Sequence, residues 1–343
     1  MAAKQLRGQF YTTNYEYILD GFSQPLECTV IEPFAGKGDL LKWLKKDYQI
    51  EAYDIEPKAT NILQRDTLRD PPVYTDKWIL TNPPYLARNK CDDKELFDRY
   101  DTNDLYKCFL RSLTSDKPCM GGILIIPAGF FLSPRVVDTR CRSLFLRQYK
   151  VSKVKYFEEQ VFDDTTTTVV AIAFERSDEF LEEQQIEWVH MPSGESKVFE
   201  MKEENGWIIG GDIYALPVSD TIKIRRHVEG QPLKQGEQQT FLTLNALDSG
   251  TQTGRISLEY KKDYVYPAKE SSRTFATLRI QGKTLSETEQ KDIANRFNTF
   301  LEQKRSETWS LFLPQYRESK EYARKRIPFE LAYTIVGYLV STA

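Results

Sequence analysis

Histidine is nearly missing from this sequence: two residues, His190 and His227, in 343. A zinc hydrolase or a Ser-His-Asp enzyme draws on imidazole at defined positions, so both are poorly supplied and any chemistry here is expected to run without it. Cysteine offers little more. The five present, Cys28, Cys91, Cys108, Cys119 and Cys141, are odd in number and show no Cys-x-x-Cys spacing, which points to reduced, structural thiols rather than disulfides or a zinc site. No stretch is apolar for long enough to span a bilayer, and the opening MAAKQLRGQF lacks the apolar core of a signal peptide. The expectation is a soluble, intracellular, cytoplasmic protein with no membrane partner. A formal net charge of −3 gives no global attraction to nucleic acid, so phosphate binding would need locally clustered Lys and Arg.

What is there is an alternation of strand-like and helix-like segments over the first half. Residues 28 to 31 (CTVI) read as a buried strand, EPFAGKGD as a glycine-bearing turn, and LLKWLKK continues with helical apolar spacing. The strand IEAYDI ends in acid at Asp54 and Glu56 and is followed by helix-compatible sequence. Gln64-Arg65-Asp66 lie in a connection, and the strands WILT (78 to 81) and GGILIIP (121 to 127) come next. VSKVKYF and TTTTVVAIAF are rich in β-branched and aromatic residues and could form an antiparallel edge. This pattern predicts an α/β fold with a doubly wound, mainly parallel sheet. Beyond about residue 178 the chain turns charged and polar, as in SDEFLEEQQ and MKEENG, so a boundary is expected there, with domains at 1–178 and 179–343.

The strand WILT stops on Asn82-Pro83-Pro84-Tyr85. Two prolines can simply end a strand, since neither ring nitrogen donates to a sheet. They also hold a neutral amide, a free backbone acceptor and an aromatic face at the carboxyl end of a strand, where open α/β sheets keep their ligands, and such a set could hold a planar amino group. The glycine loop is equally two-sided: Gly36 and Gly38 could serve only their own positive φ angles. Order favours more, with a glycine loop after the first strand, Asp54 at the end of the second, Asp66 after the third region and the amide cluster after the fourth. An acid so placed can accept from a ribose. Asp39 follows Gly38 where a phosphate-binding loop would have Lys-Ser/Thr, which suits a cationic ligand better than a triphosphate. An acid at that place also simply favours a helix dipole.

Gly8-Gln9-Phe10-Tyr11-Thr12-Thr13, EPFAGKG, YDIEP and TNPPY, in that order, resemble the amino (N6) adenine DNA methyltransferases of the gamma arrangement, the Taq-type group of type II restriction-modification systems. The resemblance spans roughly residues 7 to 175. It implies a Rossmann-like fold that binds S-adenosyl-L-methionine, followed by a C-terminal target recognition domain. It further implies a monomer acting on double-stranded DNA, with a separate restriction endonuclease reading the same site. Carried residue by residue, it places Thr12, Glu32, Pro33, Ala35, Gly36 and Gly38 around the methionine moiety, Asp54 at the ribose, Ile55 beside the adenine ring and Asp66 on the cofactor's adenine amino group. Asn82, which also borders the cofactor, and the Pro83 carbonyl would hold the target N6, beside Pro84. Tyr85 would stack on the flipped base, with Phe162 a second aromatic wall or a plain core residue. Thr13 stands where the group often has proline. In the second half, SGTQTGR (249 to 255) resembles a motif of related recognition domains, though a glycine-rich loop explains it equally. Ile222–Arg226 and Tyr322–Arg326 are basic clusters that read as solvated faces or as phosphate contacts. The same amide chemistry would fit a protein glutamine N5 methyltransferase or an RNA adenine methyltransferase, and a non-catalytic DNA-binding module on this fold is the alternative of another class.

Overall fold

The computed structural model describes residues 11–114, 118–163, 165–248, 255–316 and 324–342. It divides into two compact units, the first running to Trp207 and the second starting at Ile208.

The first unit is built on a nine-stranded sheet. Its strands are β1 (Thr29–Glu32), β2 (Gln49–Asp54), β3 (Leu63–Gln64), β4 (Lys77–Thr81), β5 (Gly121–Pro127), β6 (Tyr149–Phe157), β7 (Val169–Arg176), β8 (Glu183–Met191) and β9 (Glu195–Lys202). They lie in the order β3-β2-β1-β4-β5-β7-β6-β8-β9. β3, β2, β1, β4 and β5 are mutually parallel, and β7 runs antiparallel to both β5 and β6. The sheet is therefore mainly parallel and Rossmann-like, with β7 and β9 running against the other strands. β5 (GGILIIP) is buried along nearly its whole length, as a strand between two others must be. Its second residue, Gly122, lies so close to β4 that a Cβ there would meet the Ile79 carbonyl oxygen at 2.1 Å. Helices α1 (Tyr15–Leu19), α2 (Glu95–Tyr100), α3 (Leu105–Leu113), α4 (Gly129–Leu132) and α5 (Val136–Leu146) complete the unit.

Three expectations are corrected. LLKWLKK forms one 3-10 turn, Leu40–Trp43, and no more. The Gln24 side chain takes over the backbone groups a continuing helix would use, donating to the Trp43 carbonyl at 2.7 Å and accepting from the Lys45 N–H at 2.9 Å. No helix follows β2 either, because Asp54 accepts from the Glu56 N–H at 2.7 Å and closes a local turn. The β6–β7 pair is antiparallel as expected, but it is not an edge: β8 pairs with β6 and β9 with β8. The polar stretch from 178 therefore leads into the same sheet, with Gln184, Ile186 and Trp188 buried at alternate positions, and the unit ends at Trp207 rather than near 178.

The second unit packs two helices, α6 (Glu287–Thr308) and α7 (Phe329–Ser341), with an antiparallel sheet. The strands are β10 (Lys223–Arg226), β11 (Glu237–Asn245), β12 (Ser257–Tyr260) and β13 (Phe275–Gln281), in the order β10-β13-β11-β12. Ile293, Phe297 and Leu301, four residues apart along α6, join Leu244, Leu258 and Ile280 in one apolar core. Ser286 and Glu289 form a capping box at the start of α6, satisfying donors that the first turn leaves open. Among the described residues no helix is long and apolar enough to cross a membrane, and all five cysteines are free.

Candidate active site

The carboxyl ends of β1, β2 and β4 converge, and hydrogen bonds lace their loops together. Gly36, at φ +54°, donates its N–H to Asp54 Oδ2 at 2.8 Å, and its carbonyl accepts from the Lys58 N–H at 3.0 Å. A side chain at position 36 would run into the Tyr11 ring at 2.8 Å, so the backbone comes close only because glycine stands there. Ala35 donates to the Tyr53 carbonyl at 2.8 Å, Gly38 to the Ala35 carbonyl at 2.6 Å, and Thr67 Oγ1 to the Pro33 carbonyl at 3.0 Å.

These loops enclose a cavity of about 470 Å³. Of the residues singled out from sequence, Gly36, Asp54, Ile55, Asp66, Asn82 and Pro84 line it. Thr12, Glu32, Pro33, Ala35, Gly38, Pro83 and Tyr85 are buried around it, outside the lining. Much of the remaining wall is apolar, from Phe34, Leu68, Leu86, Leu96, Phe97 and Leu105, with Tyr11, Arg65 and Arg69 beside it. None of these apolar residues stood out in the sequence, since they are scattered over loops and the starts of α2 and α3. The only signal for any of them was nearness to a motif, as for Phe34 and Leu86.

Glu32 is 2% exposed, and its Oε2 is buried without a hydrogen-bond partner among the described residues. Burial, and then the charges of Asp54 and Asp39, push its carboxyl well above the ordinary range. A cation beside it would draw that value back down. Asp66 is committed on one oxygen to the Leu68 and Arg69 N–H groups, both at 3.2 Å.

At the end of β4, Asn82 is 8% exposed and donates from Nδ2 to Thr12 Oγ1 at 3.0 Å. Its Oδ1 meets the Tyr85 hydroxyl, which also lies 2.6 Å from the Ile125 carbonyl oxygen. Tyr85, expected to stack on a flipped base, is 7% exposed, its ring set edge-on against Tyr106 with centroids 6.2 Å apart. Phe162 is buried between β6 and β7 and does not line the cavity, as a core residue would be. Just beyond the motif, the Leu86 N–H donates to Asp104 Oδ1 at 3.2 Å, and Ala87 bridges Asp104. Burial raises the Asp104 carboxyl to about 6.

Gly8, Gln9 and Phe10 of the upstream motif lie outside the described residues, as do Ser249–Gly254 of SGTQTGR and Tyr322 and Ala323 of the second basic cluster. Arg255 pairs with Glu302 at 3.3 Å. No group of His, Cys, Asp and Glu among the described residues could hold a metal ion.

A buried unpaired carboxyl, a glycine backbone open to close approach, two further acids and an apolar wall suit a ligand that joins a cationic amino acid to a nucleoside. S-adenosylmethionine has that composition, and the residues present fit it.

No protein-family model matches the chain, and no curated protein matches it. Among solved structures it is similar to the methyltransferase subunit of a type I restriction-modification system from Streptococcus thermophilus, at 14% identity over 54% of this chain and 48% of that one, TM-score 0.36. It is also similar to the M protein of the type I restriction enzyme EcoKI, at 12% identity over 56% of this chain and 51% of that one, TM-score 0.40. A third is the 23S rRNA methyltransferase ErmE, at 13% identity over 49% of this chain and 69% of that one, TM-score 0.36. The chain spans about half the length of the two restriction-modification subunits.

Proposed function

We propose that the chain is an S-adenosylmethionine-dependent methyltransferase that modifies N6 of adenine in double-stranded DNA. The observation that carries this reading is Asn82: a neutral carboxamide on the wall of a cavity that Gly36, Asp54 and Asp66 also line, together with Arg65, Arg69 and Asp93. An adenine amino group is a poor nucleophile because its lone pair is delocalised into the ring. Two fixed acceptors, Asn82 Oδ1 and the Pro83 carbonyl, would favour a pyramidal nitrogen with its lone pair free. Thr12 supports that role by accepting from Asn82 Nδ2, which would leave the amide oxygen, not the nitrogen, as the group to accept from an amine. When bound, the cofactor supplies an electrophilic methyl on a sulfonium. Glu32 would face the cofactor's ammonium and Asp54 its ribose hydroxyls, with Ile55 beside its adenine and Asp66 on the adenine amino group. Catalysis would come mainly from holding nitrogen and methyl in line, and the target base would have to leave the helix to reach Asn82.

The second unit would serve as the target recognition domain. The two basic clusters, a hundred residues apart in sequence, contribute Arg226 and Arg326 to one cavity of about 360 Å³, which Arg273, Phe329, Tyr333 and the acids Glu270 and Glu330 also line. Guanidinium groups beside aromatic rings suit a phosphate-bearing partner, which favours nucleic acid over the glutamine side chain of a protein. Modification of a site read by a separate restriction endonuclease is the role we infer for such an activity.

The test is transfer of labelled methyl from S-adenosylmethionine to mixed-sequence duplex DNA, with digestion to nucleosides. N6-methyladenine from the wild type and none from Asn82→Ala is the expected result. Cofactor binding without transfer to DNA would overturn the substrate, and no cofactor binding would overturn the enzyme.

A further inference from the structure

β10 and β11 flank β13 in the sheet of the second unit, and the loop that joins them, residues 229–236 (EGQPLKQG), is exposed along its whole length. Exposed loop tips ordinarily move and tolerate change. This one is fastened from below. Arg279, on β13 and 2% exposed, donates to the Gln231 carbonyl at 2.7 Å and to the Pro232 carbonyl at 3.0 Å. The Glu237 side chain, also 2% exposed, accepts from the Lys234 N–H at 3.0 Å and from Arg225 Nη2 at 2.6 Å. Gln281 donates to the Gln235 carbonyl at 3.0 Å, and the Glu229 N–H donates to the Ala268 carbonyl at 3.0 Å. A buried arginine-glutamate network adds little net stability, so its main effect here is to hold a loop backbone in one shape.

Above that backbone, consecutive side chains stand bare. Leu233 is 50% exposed, and Lys234 and Gln235 make no side-chain hydrogen bond or ion pair among the described residues. Gln231 differs, since its Oε1 is met by Arg225 at 3.4 Å. Resting on the reading above, we infer that Leu233, Lys234 and Gln235 are the base-reading edge of the second unit, laid into the major groove of duplex DNA. A carboxamide is donor and acceptor at once and matches the N6 and N7 edge of adenine, an ammonium donates to O6 and N7 of guanine, and an aliphatic group meets the thymine methyl. The loop carries one acid, Glu229, and one base, Lys234, so it has no net charge to draw phosphates and suits base edges instead. Phosphate contact falls to Arg226, just before the loop and on the wall of the cavity described above. A backbone already fixed loses little freedom on binding, and it presents these side chains in a constant order.

The test is methyl transfer from S-adenosylmethionine to a library of randomised duplexes, with sequencing of the methylated fraction, by wild type, Lys234→Ala and Gln235→Ala. Both positions are exposed, so neither change disturbs a packed core. Cofactor affinity and the salt dependence of duplex binding are measured alongside. The expected result is that each variant loses discrimination at one base pair of the site, by roughly ten- to a hundredfold, with cofactor affinity unchanged. Unaltered site preference in both variants would overturn the inference. Weakening that is uniform over all sequences, with a shallower salt slope, would overturn it too, because it marks phosphate contact. A wild type that methylates DNA without site preference would sink this assignment alone, whereas a wild type that methylates no duplex would sink the underlying function.

Discussion

The Gly36 N–H and the Asp54 carboxylate are joined at 2.8 Å, so the loop after β1 and the end of β2 form a single unit. Asp54 Oδ1 also accepts from Glu56, and both oxygens thus face backbone donors. An asparagine there would set its NH2 group against one of them. Asp54→Asn is expected to weaken S-adenosylmethionine binding by roughly tenfold or more and to cost about 1–2 kcal/mol of stability, measured by calorimetry and denaturant unfolding. Wild-type affinity in the variant would mean that this carboxylate does not shape the ligand site.

Glu32 is expected to couple ligand binding to proton release. Its carboxyl sits well above the ordinary range in the free protein, and a cation beside it would draw the value down. The proton must then leave on binding, so affinity rises with pH until Glu32 is ionised without ligand. Calorimetry in two buffers of different ionisation enthalpy is expected to show proton release by the wild type and none by Glu32→Gln. Equal release by both proteins would assign the proton elsewhere.

Asp104 makes stability depend on pH in the opposite sense to a salt-bridged carboxylate. Burial is the largest cause of its rise from 3.8 to about 6. The folded chain therefore holds this proton more tightly than the unfolded chain does. The group's contribution is full below the unfolded value and is lost as pH rises through the interval to about 6. The loss is on the order of 3 kcal/mol. Comparing unfolding free energies of wild type and Asp104→Asn across that interval should show the wild type falling relative to the variant. Parallel curves would place the titration on another group.

Arg273 is exposed and forms no ion pair among the described residues, and it borders the same cavity as Arg326. If both meet phosphates, Arg273→Ala and Arg326→Ala should each lower the slope of log affinity against log salt by about one for duplex DNA, uniformly across sequences. An unchanged slope in the double variant would remove this cavity from the DNA-binding surface.

Contiguous elements were legible in the sequence, and juxtapositions were not. The glycine loop, Asp54, Asp66 and Asn82 could be read because each is a short motif at a strand end, and a parallel sheet carries all such ends to one side. The apolar wall was hidden because Leu86, Phe97 and Leu105 meet only through the packing of α2 and α3. β8 was missed for a local reason: Gln184 and the glutamates around it mask an alternation that only Ile186 and Trp188 make apolar. The neighbours of Tyr85 were hidden as well, because nothing in Asn-Pro-Pro-Tyr tells that Ile125 and Tyr106 lie against it. Likewise, Arg226 and Arg326 were recognised as clusters, but their meeting depends on the path of the chain between them.

The reversed strand β7 constrains how the first unit is made. It fills the gap between β5 and β6, although both of those precede it in the chain. During synthesis, β5 therefore emerges with one side unpaired and stays so until residues Val169–Arg176 arrive. An unpaired, strongly apolar strand is the stretch most prone to join another chain, and closing it requires a contact distant in sequence, which folds slowly. The interval between the emergence of Pro127 and that of Arg176 is thus the period of greatest exposure to misassembly.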